Sequence, residues 1–129
     1  MTLQRLCLTL IGLALLFGIL LVPVRAQDAI AHAVLFYSPT CPHYHVVLTE
    51  VLPPLQTRYA DRLQILTIDV STPDGLALYE TAMKVFQVPT HRQGVPALFF
   101  GQTHLVGSLE IPRYLPTLVE DTLAAGGNG

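Results

Sequence analysis

The sequence has no tryptophan and only two cysteines, and charged residues make up just 12% of its 129 positions against 51% hydrophobic. So apolar a composition excludes a disordered chain. Acidic residues are absent before Asp28, and charge of either sign is absent from Leu6 to Val24. Beyond residue 26 only five Lys and Arg remain against nine Asp and Glu, a net charge of −4. The body of the chain therefore lacks the basic surface that nucleic acid or an anionic membrane would require. It also lacks a phosphate-cradling glycine loop, a zincin motif and a nucleophile elbow, so no cofactor is implied. There is no internal repeat or long linker, and the length suits one domain.

What is present falls into two parts. Arg5 and the α-amino group precede the 19-residue apolar run LCLTLIGLALLFGILLVPV, and Val24 and Ala26 occupy the −3 and −1 positions of a small-residue cleavage site. Residues 1–26 thus read as an export signal, either cleaved or kept as a membrane anchor, because the run is also just long enough to span a bilayer. Both versions place the remainder outside the cytoplasm, periplasmic if the source is a bacterium. Cys7 lies at the start of this run and Cys41 beyond its exit, which excludes an internal disulfide and leaves Cys41 as a lone thiol.

The rest, from Gln27 to Leu123, predicts the order β-α-β-α-β-β-α. Ala31–Tyr37 suits a buried strand, and Pro42 suits the first turn of a helix that Pro53 and Pro54 should interrupt. Leu63–Val70 alternates as a second strand. Ser71-Thr72-Pro73-Asp74 then opens a helix whose predicted apolar positions are Leu76, Leu78, Tyr79, Met83 and Phe86. Ala97–Phe100 and Thr103–Val106 form a hairpin around Gly101-Gln102. A last helix is predicted from about Ile111-Pro112 to Leu123, with Ile111, Tyr114, Leu115, Leu118 and Leu123 inward, and 124–129 as a flexible tail. This is an α/β arrangement, a central mixed sheet flanked by helices.

The chemistry concentrates at Tyr37-Ser38-Pro39-Thr40-Cys41-Pro42-His43-Tyr44-His45, where a strand delivers a cysteine to a helix N-terminus. Unpaired N–H groups there favour a thiolate, and a protonated His43 would add positive charge. On these residues alone, a reactive thiol and a small buried side chain are both open. Cys41 and His45, spaced i, i+4, would supply at most half of a structural zinc site, with His91 as the nearest further candidate. No metal site is assigned.

The Cys41-Pro42-His43 loop after Val34–Tyr37, the segment Gly94-Val95-Pro96 before Ala97–Phe100, and the closing hairpin and helix together resemble the thioredoxin superfamily. More narrowly, Ser38–Leu55 and Val88–Pro112 are similar to the thioredoxin-like domains associated with bacterial vitamin K epoxide reductase proteins. The resemblance implies Cys41 as nucleophile with His43 tuning it. It further implies Pro96 as a cis-proline facing the sulfur and Val95 as the residue whose backbone docks substrate, with Pro42 and Tyr44 lining the site. Tyr44 stands where the family's second, resolving cysteine belongs. The expected activity is therefore one-thiol exchange on protein thiols and disulfides through a mixed disulfide. A membrane redox protein of the vitamin K epoxide reductase type is an expected partner. The alternative is a non-catalytic module that binds peptides or that partner in the same groove.

Overall fold

The computed structural model describes residues 29–129, and the predicted export segment, residues 1–26, lies outside the described residues. The chain forms strand β1 (Ala31–Tyr37), helix α1 (Pro42–Val46), a π-helical turn (Val47–Val51) and helix α2 (Leu52–Tyr59). Strand β2 (Leu63–Asp69), helix α3 (Pro73–Val85), the hairpin β3 (Ala97–Phe100) and β4 (Thr103–Val106), and helix α4 (Gly107–Ala124) complete it. The sheet order is β2-β1-β3-β4. β1 runs parallel to β2 and antiparallel to β3, and β3 runs antiparallel to β4. A parallel pair needs a crossover, which α1 and α2 provide.

Alternation sends the side chains of β1 to two cores. Ala31, Ala33 and Leu35 pack beneath α1, α2 and α4 with Leu98, Leu105, Ile111 and Leu115. Phe36 points to the other face with Phe99, Ala97 and Met83. One helix, α3, covers that second face, and beside it lies a groove of about 430 Å³ lined by Val34, Phe36, Leu78, Val85 and Phe99 among others.

The prolines explain the break in the first helix. Pro53 and Pro54 have no N–H for the carbonyls of Thr49 and Glu50, so the chain widens just before them. Leu52 N–H then bonds Val47 O, five residues back, and the Thr49 hydroxyl takes His45 O at 2.8 Å.

Three predictions need correction. α4 starts at Gly107, a full turn before Ile111, because the Glu110 carboxylate accepts the Val106 N–H at 3.0 Å and caps the extra turn. Its buried stripe is Ile111, Leu115, Val119 and Leu123, at steps of four, which leaves Tyr114 47% exposed. On α3, Leu76 and Leu78 are exposed while Gly75 and Met83 are buried. A Cβ at Gly75 would lie 1.9 Å from the Asp69 carbonyl oxygen, so glycine lets this helix approach β2. Asn128 accepts the His32 N–H at 2.6 Å and donates to His32 O at 3.0 Å, satisfying the end of β1 that β3 does not reach.

Leu115→Ala should cost about 2–5 kcal/mol through the cavity left in the core, whereas Tyr114→Ala should fall within about 0.5 kcal/mol of the parent. Urea unfolding of both variants checks this, and equal losses would contradict the assigned helix face.

Candidate functional site

β1 ends at Tyr37, and the chain turns at once, with Cys41 N–H donating to Ser38 O at 3.0 Å. The hydroxyls of Ser38 and Thr40 lie 3.1 Å apart within the turn. Pro42 fits as the first helical residue, where a missing N–H costs nothing, so Cys41 becomes the N-cap in an extended conformation (φ −82°, ψ 117°). Tyr44 N–H bonds Cys41 O at 3.1 Å and closes the first turn. The sulfur is half-buried against the core and is a free thiol.

The Val95-Pro96 peptide bond is cis. Pro96 is fully buried and its carbonyl accepts the Gly107 N–H at 2.8 Å. The Cys41 thiol donates to the Val95 carbonyl across 3.5 Å, joining residues 54 positions apart. Val95 is half-buried, and its own N–H has no partner among the described residues. A thiol and an unpaired backbone donor thus sit side by side.

His43 is exposed and turned toward α4, its Nδ1 lying 2.9 Å from Ser108 Oγ. The two residues border a cleft of about 170 Å³ with Val106, Gly107 and Leu109. Tyr44, expected from the sequence to line the site, lies within α1. It is buried and stacks on Tyr37 with ring centroids 4.3 Å apart and planes 20° from parallel. Burial, followed by the nearby Tyr37 and Asp69 charges, pushes its hydroxyl above the ordinary tyrosine range, which keeps it protonated. His45 is exposed, and the described residues contain no group of three or more His, Cys, Asp or Glu able to hold a metal.

Sequence reasoning missed a second layer around the loop before Pro96. The Arg92 guanidinium meets both carboxylate oxygens of Glu110, at 2.9 and 2.8 Å. That contact leads the causes that hold the Glu110 carboxyl below its ordinary value. Next to them His104 is half-buried against Phe99, its Nε2 unpartnered. Burial and then the Arg92 charge hold the imidazole below its ordinary value, although Glu110 pulls the other way. Only the placement of Glu110 one turn into α4 could have flagged the pair, and the late helix start predicted from Pro112 hid it.

No protein-family model and no curated protein matches the sequence. Solved structures do. A chain from work on thiol resolution in yeast mitochondrial 1-Cys peroxiredoxin via the glutathione and thioredoxin systems is similar at 19% identity and TM-score 0.50, over 74% of this chain and 82% of that one. A thioredoxin from Thermus thermophilus is similar at 22% identity and TM-score 0.50, over 75% and 77%. The fold is thioredoxin-like. Glutaredoxin C1 from Populus tremula x tremuloides is also similar, at 21% identity and TM-score 0.48, over 78% of this chain and 87% of that one. Within this thioredoxin-like fold, the Cys41 thiol in the loop after β1 meets the Val95 carbonyl just before β3.

The shifted groups predict how stability responds to acid. A buried imidazole with a lowered pKa binds fewer protons folded than unfolded, so its contribution is complete above the ordinary value of about 6.5 and is lost as pH falls below it. Glu110 contributes in the same direction but lower, its stabilisation fading as pH falls from the ordinary carboxylate value through the depressed folded one. The melting temperature should therefore fall as pH drops below about 6.5, and His104→Leu should flatten the first part of that decline. An unchanged slope in the variant would remove His104 from the account.

Proposed function

We infer that this protein exchanges thiols and disulfides of other proteins through one sulfur, that of Cys41. The observation that carries this reading is the half-buried Cys41 thiol at a helix start, bonded at 3.5 Å to the carbonyl of Val95, whose N–H has no partner among the described residues. An extended substrate segment can pair with that N–H and bring its disulfide to the sulfur. The Cys41 thiolate attacks one sulfur of the substrate, a new S–S bond forms to Cys41, and the other substrate sulfur leaves as a thiolate. A second thiol then attacks the substrate sulfur of the mixed disulfide and releases Cys41 as a thiolate. No other thiol among the described residues does this, and Tyr44 is packed on Tyr37. The resolving thiol comes from a glutathione-like molecule, from the substrate itself or from a partner.

His43 contributes through position. Its bond to Ser108 fixes the imidazole, two residues after Cys41, against the first turn of α4. The work takes place outside the cytoplasm, with residues 1–26 as signal or anchor, and a membrane protein of the vitamin K epoxide reductase type fits as redox partner.

The buried Tyr44 also favours a second reading, a peptide-binding module whose sulfur is idle. Incubation of the full chain, in a Cys7→Ser background so that Cys41 is its only thiol, with a disulfide-bearing peptide separates the two. Exchange predicts one peptide adduct at Cys41, absent in Cys41→Ser, and a Tyr44→Cys variant whose adduct resolves itself about tenfold or more faster. Peptide binding that is unchanged in Cys41→Ser, with no adduct in the parent, would establish the module instead.

A further inference from the structure

We propose that Arg92 and Glu110 act as a positioning pair that holds Val95 in register for substrate docking, an inference that rests on the exchange reading above. Arg92 ends the single turn Thr90–Arg92, three residues before Val95. The turn is tied internally by Arg92 N–H to Pro89 O at 2.8 Å and by the Gln93 side chain to Val88 O at 2.9 Å. Its one side-chain attachment to α4 is the two-pronged Arg92–Glu110 contact. Glu110 is itself fixed, since the same Oε2 that meets Arg92 accepts the Val106 N–H at 3.0 Å.

On the far side of Val95, the Pro96 carbonyl is held by Gly107 N–H at 2.8 Å. Gly107 and Glu110 belong to the same first turn of α4. Val95 is therefore strung between two anchors on one helical turn, and only Gln93 and Gly94 separate it from Arg92. Gly94 is the weak link, as its carbonyl is met only by the Tyr79 hydroxyl at 3.4 Å. Isolated surface ion pairs add little stability, and this pair is part-exposed. A two-pronged guanidinium contact, however, fixes direction as well as distance. Its function here is to keep the Val95 N–H aligned with an incoming strand; the reaction at sulfur does not involve it.

The test compares two disulfides with the same leaving group, using the full chain in a Cys7→Ser background so that Cys41 is the only thiol. One is 2,2′-dithiodipyridine, which has no backbone to dock; the other is an extended peptide whose single cysteine carries a pyridyl disulfide. In each, Cys41 sulfur bonds to the attacked sulfur and pyridine-2-thione leaves. Arg92→Met should slow the peptide reaction about tenfold or more while leaving the small disulfide within about twofold. Arg92→Lys, with one point of contact, should fall between. Glu110→Gln keeps an acceptor for Val106 N–H, weakens the pair, and should show the same selective loss if Arg92→Met does not fold. Equal slowing of both reagents, or slowing of neither, would overturn the proposal. A parent chain inert to both would instead remove the exchange reading itself, and this proposal with it.

Discussion

The antiparallel pairing of β1 with β3 is the constraint from which the site follows. Leu35 opposite Leu98 and Phe36 opposite Ala97 set the end of one strand against the beginning of the other. Whatever leaves β1 must then meet whatever enters β3, and these are the Cys41 loop and the Val95-Pro96 segment. The pairing is secured by full burial, since Leu35, Ala97 and Leu98 have no exposed surface. A one-residue slip would turn both strands inside out, so the contact between Cys41 and Val95 is as well determined as the core.

The first turn of α4 is the second organising element. Within four residues it supplies the amide that holds Pro96, the hydroxyl that holds His43 and the carboxylate that holds Arg92. Two segments distant in sequence, the start of α1 and the loop from Arg92 to Pro96, are referenced to one rigid turn, which is how a site carried on loops acquires a fixed geometry. The Glu110 contact with Val106 N–H lets that turn exist despite Pro112 in the second.

Much of this was legible in the chain. β1, β3 and β4 carry the residues expected of them, as does the N-cap Thr72, because alternation and capping are local signals. The start of α4 was not legible, since a proline at position 112 imitates a first-turn proline and the local Glu110 bond to the Val106 N–H, four residues back, overrides that signal. Tyr114 was misplaced with it. The inward turn of Tyr44 was equally hidden. A polar aromatic three residues from a lone cysteine reads as a site residue, and only its burial and its stacking on Tyr37 show that it belongs to the core. Asn128 replaces a missing strand partner for His32, which tail composition does not encode.

The account places a single sulfur beside an unpaired backbone donor and assigns both to one substrate. Amide hydrogen exchange at Val95, measured before and after an extended peptide is disulfide-linked to Cys41, tests that assignment most directly. Strong slowing of exchange at Val95 on peptide attachment is the predicted result. An unchanged rate at Val95 in the linked species would mean that the peptide hangs from the sulfur without docking, and would contradict the account.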